Sequence, residues 1–174
     1  MSNYYNYIVK NIWSAFFASL FGACVCILLS ALVIDKILGF DPCILCFYER
    51  IPYGVVALIS GAGYFSTPKY RWVFLWLIAF SAAVGAGIAI FHTGVEREWW
   101  SPTSHCTPHV HLNDSTTMED FLSQLDKAPI GDCTKPALRI LGLSLAEINV
   151  ILNLLLLGLM TQLIRFNAKA KLSK

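Results

Sequence analysis

The residues with most chemical potential in this 174-residue chain are its six cysteines, at positions 24, 26, 43, 46, 106 and 133. Cys43 and Cys46 carry the most informative spacing. The segment Asp41-Pro42-Cys43-Ile44-Leu45-Cys46 reads as a helix start, with Asp41 as N-cap and Pro42 at the first helical position. Two cysteines three residues apart then share a face of the first turn. The helix dipole and free backbone N–H groups there favour a thiolate, the nucleophile of thiol–disulfide exchange. Taken alone the pair fits a redox disulfide, a structural disulfide or half of a zinc site, though a zinc clip normally needs four ligands. Arg50 follows one turn after Cys46 on the same face, where a charge in an apolar helix calls for a partner or a function. It is expected to stabilise a Cys46 thiolate and donate to an oxygen of a bound cofactor. The plainer readings are pairing with the adjacent Glu49 and snorkelling to the interface. Pro52, just below, is expected to kink the same helix.

The elements that position these groups follow from composition. Hydrophobic residues make up 56% of the chain and charged residues 14%, against roughly 45–50% and about 25% in a soluble domain. That balance excludes disorder, and a net charge of +2 leaves no broad basic surface for nucleic acid. Four apolar segments stand out, predicted as spans over about 12–34, 43–65, 72–93 and 144–165. The uncharged run Ile12–Ile34 alone would rise about 35 Å as a helix, enough for a hydrocarbon core of about 30 Å. Up to Cys24 that run resembles a signal peptide. It continues to Ile34, too far for a cleaved leader, and is read as a retained helix. The expectation is an all-α, four-helix transmembrane bundle forming a single membrane domain over 1–174, with a long outward loop over about 94–143.

Charge gives this bundle a direction. Lys10, Lys69, Arg71, Arg165, Lys169, Lys171 and Lys174 lie at one end with no acidic residue, whereas all eleven Asp and Glu lie at the other with six basic residues. By the positive-inside rule both termini and the 66–71 turn are expected in the cytoplasm. Cys43, Cys46, Cys106 and Cys133 then fall on the outward side, where disulfides persist. Four cysteines allow three pairings, and sequence alone does not choose among them, though spacing helps with the Cys43 and Cys46 pair. His92 closes the third span at the depth of Cys46 and Arg50. In the long loop, Thr116-Thr117-Met118-Glu119 reads as a capping box, and Met118, Phe121, Leu122 and Leu125 predict a short amphipathic helix on the membrane surface. Trp99 and Trp100 fit interface anchors. His105, Cys106, His109 and His111 form a cluster of metal-ligand types whose spacing matches no common motif. Cys24 and Cys26 lie mid-span on roughly opposite helix faces and read as inert thiols. Gly61, Gly63, Gly85 and Gly87 read as close-packing positions.

Pro42-Cys43-Ile44-Leu45-Cys46-Phe47-Tyr48-Glu49-Arg50 at the start of the second span resembles the signature of the disulfide bond formation protein B (DsbB) family. Cys106 and Cys133 in one outward loop, and His92-Thr93 at the end of the third span, resemble it too. The resemblance implies a bacterial inner-membrane enzyme that reoxidises a periplasmic thioredoxin-like dithiol oxidase (DsbA-like) and reduces ubiquinone or menaquinone. It implies Cys106–Cys133 as the disulfide attacked by that partner, with Cys106 in the mixed disulfide, and Cys43–Cys46 as the pair that receives the electrons. Cys46 would contact the quinone, with Arg50 and His92 polarising its oxygens. No metal is expected. Two alternatives compete. A vitamin K epoxide reductase-like enzyme would carry its Cys-x-x-Cys late in the bundle. A metal-binding scaffold would use Cys106, His105, His109 and His111.

Overall fold

The computed structural model of the chain describes residues 2–40, 42–103, 106, 132–136 and 138–172, with residues 2–10, 68 and 170–172 described by their backbone alone. Four long helices dominate: α1 (Ser2–Lys36), α2 (Ile44–Phe65), α3 (Arg71–Glu96) and α4 (Leu145–Leu172). A 3₁₀ turn at Pro68–Tyr70 joins α2 to α3, and strands β1 (Arg139–Ile140) and β2 (Leu143–Ser144) precede α4. Each helix contains a stretch long and apolar enough to cross a membrane: Asn11–Lys36, Ile44–Phe65, Arg71–Glu96 and Leu145–Lys169. The architecture is thus the four-helix transmembrane bundle. Helix α1 begins ten residues before the apolar run that announced it.

Helices α1 and α2, α2 and α3, and α3 and α4 pack as neighbours. The span windows of α2 and α3 are 39% and 44% buried, those of α1 and α4 only 11% each, so α2 and α3 form the inner pair. Phe17, Tyr53, Val56, Leu75, Ile78 and Met160 build the core, with Cys24 among them. In lipid, helix association draws on close packing rather than on exclusion of water, so small residues matter at the contacts. A methyl group added at Gly63 would sit 2.8 Å from the Phe17 ring, and one at Gly85 would sit 2.5 Å from Asn153 Oδ1. Those two glycines act as close-packing positions. Gly61 has ordinary clearance from Phe21, and Gly87 faces open space. Cys24 is buried in the core, whereas Cys26 lies on the outer surface.

The start of α4 is fixed by a motif not singled out from sequence. Ser144 Oγ accepts the Glu147 N–H at 3.2 Å, and Glu147 Oε2 accepts the Ser144 N–H at 2.9 Å. This Ser-x-x-Glu capping box satisfies two otherwise orphaned N–H groups. Glu147 Oε1 also accepts Arg97 Nε at 2.9 Å, joining the end of α3 to the start of α4. Before the cap, β1 and β2 pair in antiparallel register, Arg139 opposite Ser144 and Ile140 opposite Leu143. Their two-residue turn holds Leu141 at φ 54° and Gly142 at φ 86°. Positive φ at both central residues is what a tight hairpin turn demands. No strand was expected here, because two-residue strands lack a readable alternation. The amphipathic helix expected around Met118–Leu125, and His105, His109 and His111, lie outside the described residues.

Candidate functional site

Helix α2 begins later than expected. Asp41 lies outside the described residues, Pro42 precedes the helix, and Cys43 is the N-cap, with φ −72° and ψ 165°. The Cys43 Sγ accepts the Cys46 N–H at 3.2 Å, the role a serine or aspartate oxygen usually plays. Cys46 lies one turn in, its Sγ 2.7 Å from Cys43 Sγ. A hydrogen bond from the Cys46 side chain pulls the Cys43 thiol below its ordinary value against the opposing effect of burial, and the Cys46 N–H adds to the pull. The cap geometry thus gives the Cys43 sulfur a backbone N–H donor.

His92, at the outward end of α3, is buried, with Nε2 3.4 Å from Cys43 Sγ. Its Nδ1 faces Glu49 Oε1 at 2.7 Å, and Glu49 is 4% exposed. Against a carboxylate, Nδ1 carries the ring proton, which leaves the Nε2 lone pair turned to the sulfur. Glu96 Oε1 lies 3.7 Å from the same Nε2. The second oxygen of Glu49 accepts Asn149 Nδ2 of α4. From there the polar contacts continue inward. Tyr53 O–H donates to Asn149 Oδ1 at 3.2 Å, and Asn153 Nδ2 donates to Tyr53 Oη at 3.1 Å and to Asn149 O at 2.9 Å. Neither Glu49 nor Asn149 was singled out from sequence. Glu49 had a readable signal, since it stands three residues after Cys46 on the same helical face. Asn149 had none, because only the packing of α4 brings it here.

Arg50 does not pair with Glu49. Its guanidinium forks onto Asp35 at the end of α1, with Nη1–Oδ2 at 2.5 Å and Nη2–Oδ1 at 2.9 Å, and stacks 5.1 Å from the centre of the Phe47 ring. Among the described residues it makes no hydrogen bond to either sulfur.

Cys106 and Cys133 form a disulfide, with their Cα atoms 5.3 Å apart. Asp132 Oδ1 accepts Thr134 N–H at 2.9 Å and Thr134 Oγ1 at 2.7 Å, a turn that presents Cys133. The pair was expected to be open to a soluble partner. Instead both cysteines are buried, and they pack with Cys43, Leu45 and Val95 in one cluster bordered by Cys46 and Phe91. The two cysteine pairs are therefore neighbours.

Beside the sulfurs opens a cavity of about 570 Å³. Ile27, Ala31, Ile34 and Leu152 give it apolar walls, and Cys46, Arg50 and His92 line its polar end beside the carboxylates of Asp35, Glu49 and Glu96. Apolar walls with a few convergent polar groups are the usual make-up of a small-molecule site.

Fold and site together define a multi-pass membrane protein with two adjacent cysteine pairs at one end of its bundle. The family model described as disulfide bond formation protein DsbB matches residues 14–163. The chain is 31% identical over 129 residues to disulfide bond formation protein B of Saccharophagus degradans, covering 72% of this chain and 77% of that one. It is 30% identical over 121 residues to the protein of the same name from Aeromonas salmonicida, covering 68% and 69%. It is also 29% identical over 154 residues to an uncharacterized protein of Rickettsia prowazekii, covering 87% and 88%. The chain belongs to the DsbB family, and so to the inner-membrane proteins of disulfide bond formation.

Proposed function

We propose that this protein is a dithiol:quinone oxidoreductase that reoxidises a periplasmic thioredoxin-like (DsbA-like) oxidase. The observation that carries the reading is the packing of both cysteine pairs in one cluster, with Cys43 and Cys46 lining a cavity with apolar walls. In the first step a partner thiolate attacks Cys106, and the Cys106–Cys133 bond breaks to a mixed disulfide. The partner's second thiol then releases itself oxidised, leaving Cys106 and Cys133 reduced. Exchange with an oxidised Cys43–Cys46 pair returns the loop disulfide and leaves Cys43 and Cys46 as thiols. The charge asymmetry of the chain supports placing these residues on the periplasmic side and both termini in the cytoplasm.

The cavity residues fit ubiquinone or menaquinone: the apolar walls suit a ring-headed lipid, and Arg50 supplies donors at its polar end, joined by His92 once its Nε2 has taken up the thiol proton. A bound quinone supplies the acceptor for two electrons and two protons, and Cys43 and Cys46 close to a disulfide as they give them up. His92 Nε2 takes the thiol proton, while Glu49 holds the imidazole in the tautomer that can accept it. A resident metal on the same atoms is disfavoured. The sulfurs of Cys43 and Cys46 and a nitrogen of His92 lie within 4.8 Å of one another, but the sulfurs are only 2.7 Å apart. Two thiolates on tetrahedral zinc stand about 3.8 Å apart.

The test is reduction of a short-chain ubiquinone by a reduced thioredoxin-like oxidase and the purified protein, with free thiols counted alongside. Cys43→Ser and Cys46→Ser are expected to abolish turnover, and Cys24→Ser and Cys26→Ser to leave it intact. Full activity in Cys46→Ser overturns the proposal.

A further inference from the structure

Position 35 is a costly place for a carboxylate. Asp35 sits in the last turn of α1, where the helix dipole disfavours an anion, at the end of an apolar span, and its side chain is only 8% exposed. A buried carboxylate without a partner is destabilising, and a bidentate guanidinium is the strongest partner available. Among the described residues Arg50 is that partner, across a separation of 15 residues. The fork uses two of five guanidinium N–H donors. The Phe47 ring closes off one face of the same group. Asp35, Arg50 and Cys46 all line the one cavity.

We infer that Asp35 is a positioning residue for the quinone headgroup: it fixes the plane of the Arg50 guanidinium so that the remaining N–H donors face the cavity. The inference rests on the quinone reading above and adds a residue to it. An isolated arginine on a flexible stem would search many rotamers and lose entropy each time it met a carbonyl oxygen. Clamped between a carboxylate and an aromatic ring, it is already ordered. The carboxylate also cancels its charge, so the cavity offers directed donors rather than a strong positive field.

The test is a double-mutant cycle on equilibrium binding of a short-chain ubiquinone to the detergent-purified protein, read as Kd without turnover. Asp35→Ala is expected to weaken binding about tenfold, the scale of one charge-assisted hydrogen bond. Asp35→Glu should recover most of the loss. In an Arg50→Ala background Asp35→Ala should add nothing, because Asp35 acts through Arg50. Asp35→Asn keeps one acceptor, serves if the alanine variant fails to fold, and should fall between. An unchanged Kd in Asp35→Asn and Asp35→Ala overturns the inference and leaves the quinone reading standing. So does an equal loss with and without Arg50, which would mark a merely structural role. Absence of quinone binding in the unsubstituted protein overturns the quinone reading, and this inference with it.

Discussion

The two cysteine pairs lie in one cluster yet are governed by different physics. Cys43 and Cys46 are three residues apart on one helical turn, so joining them removes little freedom from the unfolded chain. Their balance between thiol, thiolate and disulfide is set locally, by the helix start, by mutual hydrogen bonding and by His92. Cys106 and Cys133 are separated by 27 residues. Closing a loop of that length is worth about 3–4 kcal/mol in chain entropy. In the proposed mechanism the first pair is the reactive one, adjacency lets it exchange with the second, and the second doubles as a staple.

This contrast can be broken in order of effect. The largest effect is expected from serine at either helix cysteine. Quinone reduction should fall at least a thousandfold while the thermal midpoint shifts little, measured by turnover and by thiol-reactive dye on heating. The double replacement Cys106→Ser/Cys133→Ser should do the reverse in part. Stability falls by about 3 kcal/mol in denaturant titration and oxidation of the protein partner is lost, while a small dithiol is still oxidised through Cys43–Cys46. Retained stability in that variant would remove the staple.

His92→Ala comes next, with turnover down about 10²-fold and alkylation of reduced Cys106 unchanged. Smaller still is the effect of Cys46→Ala on Cys43. The ordinary thiol value is 9.0 and the Cys46 side chain is the main cause that lowers Cys43. A lowered value means the folded protein holds this proton less tightly than the unfolded chain. The associated stability is complete above the ordinary thiol range and is lost as pH falls through the folded value. Without the Cys46 thiol the rate–pH curve for Cys43 alkylation should move to higher pH. The rate at pH 7 should then drop, about tenfold for every pH unit the midpoint rises. An unmoved curve would deny the two sulfurs their coupling. The smallest effect belongs to an exposed turn residue. Leu141 is held at φ 54° at the hairpin tip, and Leu141→Gly should stabilise by about 0.5–1 kcal/mol with no change in turnover.

What the sequence disclosed follows the range of the forces involved. The four spans were legible because each apolar run is local and long. Cys43, Cys46 and Arg50 were legible because helical spacing places them on one face. Asp35 and Asn149 were not, since each meets its partner only through helix packing, from α1 and α4 respectively. The start of α2 moved from Pro42 to Ile44 because a cysteine sulfur can cap a helix, a role that propensity assigns to oxygen. Ser144-Leu145-Ala146-Glu147 was a readable cap beside a louder apolar signal. The burial of Cys106 and Cys133 comes from packing against Leu45 and Val95 at the ends of α2 and α3, which loop composition does not encode.

The asparagine–tyrosine contacts below the sulfurs carry a mechanical consequence. A helix as uniformly apolar as α4 around Leu154-Leu155-Leu156-Leu157 has almost no preferred depth against its neighbours. Asn149 and Asn153 are one turn apart and both engage Tyr53, so they act as a detent: sliding α4 by a residue would unmake both contacts to Tyr53 of α2 at once. Bilayers that are thinner or thicker can then tilt the bundle as a unit without shearing α4 past α2. The dimensions of the cavity become a property of the protein and not of the lipid around it.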